Sequence, residues 1–248
     1  MKTARRSHGL WSKFSPFPKI LTPANDVLFR DLRPFVAEER NLILDQLRQR
    51  TRLWHQRVES RLDLTRPDLT LDRYQQWLWR FFTFYRPLEN QIFDEHRDWA
   101  KQLGLTGREK CAWLIADLMS LGAAQSDIDR ARDCLMVPAV QSPAQLLGCL
   151  YVMEGSTLGG QFICRHVSSN LGLTPSRGLA FFNSYGSEVG EKWAAFRKTL
   201  VAASSPQDDE TMIGAALRTF ATLDGWFAEP DWMIPVRETS TILAPSPV

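Results

Sequence analysis

SPAQLLGCLYVMEGSTLGGQFICRHVSSN, residues 142–170, reads as one long helix with well-marked ends and an unusual interior. Ser142 is placed to cap the N-terminus, and Pro143 suits the first helical position, where a missing N–H does no harm. Gly172 and Pro175 signal the stop. Between these marks stand Gly148, Gly155, Gly159 and Gly160. Each interior glycine costs roughly 0.5–1 kcal/mol relative to alanine, so the four together discard about 2–4 kcal/mol of helix stability. Something must come close to that backbone. The spacing of Gly148, Gly155 and Gly159 puts them on one helical face, with Gly160 beside them. Two explanations fit: a second helix packed tightly against small residues, or a flat ligand lying on bare backbone. Periodicity does not separate them.

Outward from this stretch the chain is helical. Residues 37–64 carry Leu44, Leu47, Thr51, Trp54, Val58 and Leu62 at intervals of three or four, the pattern of an amphipathic helix. A second helix is expected over 72–100, with the aromatic cluster Trp77, Trp79, Phe81, Phe82, Phe84 and Tyr85 in the core and a kink near Pro87. Shorter helices are expected over 107–121 and 126–134, an ordered loop over 171–186, and helices over 187–202 and 208–228. Alternating strand patterns are absent, so the expected fold is all-α, a single-domain helical bundle over 37–228. Residues 1–36, with four prolines among basic and aromatic side chains, read as an irregular N-terminal arm, and 229–248 as a C-terminal tail.

Composition narrows the class. A chain of 248 residues with 44% apolar content buries a full core. A net charge of +2 without a long basic run argues against nucleic-acid binding. Cys111, Cys134, Cys149 and Cys164 lack the spacing of a zinc site or a disulfide framework, which suits a reducing cytoplasm. The basic N-terminus lacks the apolar core and cleavage site of a secretory signal, and no run is long enough to span a bilayer.

Four histidines leave little room for a histidine metal cage. His55 is the best-placed ligand, because Trp54, Val58 and Leu62 desolvate it and favour a neutral imidazole. Glu59, one turn on, is positioned to accept a hydrogen bond from the second ring nitrogen and fix the tautomer. A histidine at the edge of an apolar stripe is equally read as an ordinary boundary residue. Arg48 and Thr51 project from the same side, where a cation would meet an acidic group on whatever His55 binds. His166 lies at a different angle from the glycines and reads as structural, while His8 and His96 read as solvated.

RQRTRLWHQRVES on the early helix and LYVMEGSTLGGQFICRH on the late one, taken together, resemble the heme oxygenases, most closely the bacterial kind associated with bacteriophytochromes. The similarity extends over about residues 42–228 and includes ADLMSLG at 116–122 and FFNSYGSEVGEKWAAF at 181–196. The resemblance implies heme sandwiched between two helices, with His55 as the iron ligand and Gly155, Ser156, Gly159 and Gly160 on the opposite, catalytic side. It implies oxidation of heme to biliverdin, carbon monoxide and ferrous iron, with O2 and an external electron donor, and a bilin acceptor such as a bacteriophytochrome as a further partner. Arg48 is then the first choice for a heme propionate, with Arg197 and Lys198 behind it. Mammalian-type relatives carry an aspartate where this chain has Ser156, so the same proton-delivery arrangement does not transfer. A non-catalytic heme carrier, or a non-heme member of the same superfamily such as a thiaminase-like enzyme or a di-iron oxygenase, are the alternative readings.

Overall fold

A computed structural model describes residues 42–230, and the expected arm and nearly all of the expected tail lie outside that range. Within it the chain forms α1 (Leu42–Arg61), α2 (Leu71–Glu89), α3 (Arg97–Gln102), α4 (Cys111–Ser120), α5 (Gln125–Arg130), α6 (Pro143–Leu171), α7 (Ala180–Asn183), α8 (Val189–Ala202) and α9 (Pro206–Ala228). The described residues contain no strand beyond two isolated bridges at Thr174, so the all-α expectation holds. None of the described helices is long and apolar enough to cross a membrane.

The ends of α6 are set locally. Ser142 Oγ accepts the Gln145 N–H at 3.2 Å, Pro143 follows it, and Gly172 closes the helix in the left-handed region at φ 65°. Helix α9 starts the same way, with Ser205 capping ahead of Pro206. The expected 72–100 helix is interrupted. Helix α2 passes through Pro87, widens into a π-turn at Asn90–Glu95 and breaks at His96 before α3 begins. Pro87 has no N–H to give Thr83, and the freed Thr83 carbonyl instead accepts the Cys134 N–H at 2.9 Å, which ties the 131–142 loop to α2. The expected 107–121 helix starts at Cys111, after Gly107 in a left-handed conformation at φ 75°.

Helix α9 is the post around which the site is built. On one side it receives α6, where Gly148 lies against the Met212 carbonyl; on the other it receives α1. The α1–α9 contact is pinned along its length: Arg50 to Glu210 at 2.7 Å, the His55 ring on Phe220, then Arg57 and Arg61 on the buried carboxylate of Asp224. Ile43, Leu47, Thr51 and Val58 form the buried stripe of α1. Thus α1 and α6 both lean on α9 while packing little against each other. The aromatic cluster of α2 is buried, as expected, and fills the far side of the core against Phe181, Phe182 and Phe227.

Candidate active site

On the α1 wall, the His55 ring meets Phe220 edge to face with centroids 5.8 Å apart, yet its side chain keeps 38% of its exposure. It is therefore packed on one edge and reachable on another. Burial holds its pKa below the ordinary histidine value, so the neutral imidazole is favoured. Glu59 Oε1 lies 3.4 Å from Nδ1, one turn along, as the spacing required. Burial pushes the Glu59 carboxyl up to about 7. In the tautomer protonated at Nδ1, that N–H faces Glu59 and leaves the lone pair of Nε2 free. A single imidazole of this kind suits an iron that brings its own equatorial ligands, as a porphyrin iron does.

One turn earlier stands Thr51. It is buried and its hydroxyl donates to the Leu47 carbonyl at 2.6 Å, so its polarity is spent on its own helix and on the Tyr151 hydroxyl that meets it from α6. Thr51 is a joint between the two walls. Burial pushes the Tyr151 hydroxyl up to about 12, against smaller opposing contributions from Thr51 and Arg48. Arg48 stands beside this joint, with Nη2 3.3 Å from Asp45.

On the α6 wall, residues 146–154 are buried without a break. At the next residue the helix opens: Gly155 is half-buried, Ser156 exposed and Gly159 half-buried. Gly155 lies one turn beyond Tyr151, on the stripe turned toward α1, just as His55 lies one turn beyond Thr51. A Cβ added at Gly155 would meet only the Trp193 ring, at an ordinary 3.9 Å, and Trp193 in turn packs on Tyr151 with centroids 5.9 Å apart. Contacts thus run from Thr51 through Tyr151 and Trp193 to Gly155, and they gather both walls into one region. The buried Trp193 indole N–H has no hydrogen-bond partner. A side-chain-poor, accessible backbone on one helix and a half-exposed imidazole on another are the two features that a flat ligand with a metal at its centre needs.

The glycines do not share one task. A Cβ at Gly148 would stand 2.1 Å from the Met212 carbonyl oxygen and 2.7 Å from the Ala215 Cβ, so this glycine serves helix packing against α9. A Cβ at Gly160 would stand 2.8 Å from the Phe182 carbonyl oxygen, so its bareness admits α7. Tight packing therefore accounts for Gly148 and Gly160, while Gly155 is left without a close neighbour.

Ser156 Oγ donates to the Met153 carbonyl at 2.8 Å and lies 3.0 Å from the Tyr85 hydroxyl. With its one proton committed to Met153, Ser156 accepts from Tyr85. Burial raises the Tyr85 pKa, which keeps the phenol protonated and able to donate. The tyrosine gives an accessible serine an inward partner that the sequence alone had not supplied.

Behind the wall is a cluster that spacing did not show. The Glu154 carboxylate, 1% exposed, accepts from Arg108, from Lys110 Nζ at 2.5 Å and from the Tyr185 hydroxyl at 2.9 Å. Glu89, also buried, takes the Lys110 and Cys111 N–H groups at 2.6 and 3.1 Å. The available signal was Glu154 itself, a carboxylate in the apolar run LYVMEG that demands buried cations. Arg197 and Lys198 stand exposed on α8, one turn or slightly more beyond Trp193. His96 stacks on Trp99, and His166 lies 3.1 Å from Asn170 near the end of α6.

Solved structures of known proteins share this architecture. Heme oxygenase from Leptospira interrogans superposes with a TM-score of 0.62 at 17% identity, over 75% of this chain and 98% of that one. The NO- and CO-bound heme oxygenase from Neisseria meningitidis gives 0.58 at 21% identity, over 76% of this chain and 94% of that one. Heme oxygenase 2 from Chlamydomonas reinhardtii, solved without heme, gives 0.60 at 18% identity, over 78% and 99%. At such identities the likeness is one of fold. No curated protein matches the chain by sequence. The family model for heme oxygenase matches residues 41–229, which span the whole helical bundle and both walls of the site. The chain therefore belongs to the heme oxygenase family.

Proposed function

We propose that heme lies between α1 and α6, with His55 Nε2 as the protein ligand to its iron, Gly155, Ser156 and Gly159 as the facing wall, and Gly160 setting that wall from behind. As a heme oxygenase, the chain cleaves its substrate oxidatively to biliverdin, carbon monoxide and ferrous iron; heme, when bound, supplies the iron that activates dioxygen and the meso carbon that is attacked. The protein's share is to bind, orient and manage protons. Burial favours neutral His55, and Glu59 Oε1, 3.4 Å from Nδ1, is the group toward which that ring nitrogen is turned, which favours the tautomer protonated there. Gly155 and Gly159 leave room above the ligand plane that a larger side chain would fill. Ser156 Oγ, fixed by its bond to the Met153 carbonyl and by the buried Tyr85 hydroxyl, keeps a lone pair at the accessible edge of that space for a water to donate to. Arg48 is placed to meet a propionate, with Arg197 and Lys198 as outer cations.

The remaining partners are an external electron donor and an acceptor for the bilin, such as a bacteriophytochrome. Four unpaired cysteines suit a reducing cytoplasm. The observation that carries this reading is the half-exposed, neutral imidazole of His55 on α1 together with the accessible, side-chain-poor turn at Gly155 and Ser156 of α6. Adding hemin and then reductant in air tests it: a heme band decaying into a bilin band is expected for the native chain, and loss of normal ligation and turnover for His55→Ala. A His55→Ala protein with native heme spectra and activity would overturn the assignment.

A further inference from the structure

Helix α6 is locally weakest where the wall opens. Gly155 lowers its helix propensity, and the two hydroxyls that follow both turn back on the backbone, Ser156 to the Met153 carbonyl and Thr157 to the Glu154 carbonyl at 2.7 Å. Such a stretch needs external support to keep one geometry. The segment from α7 to Tyr185 supplies it by running alongside α6 and touching it three times. The Phe182 carbonyl sits against Gly160, the Asn183 carbonyl accepts the Gln161 amide at 2.6 Å, and the Tyr185 hydroxyl donates to Glu154 at 2.9 Å. Together the contacts bracket the open stretch. The segment is itself held at its start, where Asp117 accepts the Ala180 and Phe181 N–H groups at 2.7 and 2.8 Å.

Two costs mark this segment as more than filler. Ser184, just before the latch residue, sits at φ 49° and ψ −123°, a backbone conformation that favours glycine, and its buried hydroxyl has no partner. Strain of this kind persists only where surrounding contacts hold it. The Arg108, Lys110 and Tyr185 donors converge on Glu154, the residue directly before Gly155, so the carboxylate fixes the rotation of α6 at the point where the wall begins.

We infer that Tyr185 and Glu154 are positioning residues, a latch by which the 180–185 strap holds residues 153–161 of α6 in the geometry that faces the ligand. The consequence for heme rests on the reading of the site given above; the consequence for the helix does not. Hydrogen exchange of the heme-free chain tests the latch directly. In Tyr185→Phe, amides of 153–161 should exchange about ten-fold faster, with 143–150 unchanged and the melting temperature little altered. Glu154→Gln should act in the same direction and more strongly, and hemin should bind both variants several-fold more weakly. Folded variants with native exchange over 153–161 would overturn the inference. Tyr185→Phe removes one donor of several, so it decides the matter if Glu154→Gln fails to fold. Should the native chain bind no hemin, the heme reading falls while the exchange result still decides on the latch.

Discussion

Gly148 and Gly155 stand two turns apart on the same helix and perform opposite tasks. At Gly148 the missing side chain is occupied by another part of the protein, the backbone of α9, and nothing further fits. At Gly155 it is left open, with only the rim of Trp193 at van der Waals distance. The difference lies in what α6 passes on its way through the molecule: α9 at Gly148, the rim of Trp193 from α8 at Gly155, then α7 at Gly160. A shared helical face therefore does not imply a shared neighbour once a helix is long enough to cross several partners.

The sharpest way to break the comparison is to put one methyl group at each glycine. Gly148→Ala has the largest expected effect. Its Cβ would meet a backbone oxygen at 2.1 Å in a contact between two fully formed helices, and neither can yield without moving its whole length. A loss of about 3 kcal/mol, measured by urea denaturation, is the expected outcome. A variant as stable as the native chain would show that α6 and α9 are not packed as described. Gly160→Ala should cost less, roughly 2 kcal/mol, because the opposing Phe182 carbonyl at 2.8 Å belongs to a short segment that can shift by tenths of an ångström.

This contrast also explains what could be read from the sequence. The limits of α6 were legible because caps are local chemistry: Ser142, Pro143 and Gly172 act within one turn of themselves. The buried stripe of α1 and the His55–Glu59 pair were legible for the same reason, since residues one turn apart must meet. Which glycine faced what was not legible, because Met212, Trp193 and Phe182 come from three distant parts of the chain. The Glu154 cluster draws Arg108 from 46 residues away and Tyr185 from 31. Nothing in the local pattern pairs them. Nor did the spacing show that the Thr51 hydroxyl, on the expected face, turns back to its own helix.

The open half of α6 depends on its strap, and pH offers a graded way to probe that support. Burial pushes Asp117, which anchors the start of the strap, up to about 6 from an ordinary carboxylate value. A carboxyl whose pKa rises on folding takes up a proton more readily in the native state, so its ionised form costs stability above pH 6 and the cost is relieved as pH falls toward 4. The stability of the native chain relative to Asp117→Asn, which does not titrate, should therefore increase by about 1 kcal/mol from about pH 7.5 to about pH 4.5. Urea midpoints measured at both ends of that range check it, and parallel shifts of the two proteins would refute it.

The smallest effect is the most discriminating, because its sign is reversed. Gly155→Ala places a methyl group where only the Trp193 ring lies near, at 3.9 Å, and the residue is in an ordinary helical conformation. Nothing in the protein objects to that methyl group, and alanine restores roughly 0.5–1 kcal/mol of helix propensity that glycine forfeits. The heme-free Gly155→Ala chain should thus be slightly more stable than the native one, whereas Gly148→Ala is much less stable. If the backbone at Gly155 is bare for the sake of a ligand, the bulkier Gly155→Leu should weaken hemin binding at least about ten-fold without unfolding the protein. A stable Gly155→Leu chain that takes up hemin like the native one would return Gly155 to the same class as Gly148, leaving the openness of α6 without a function.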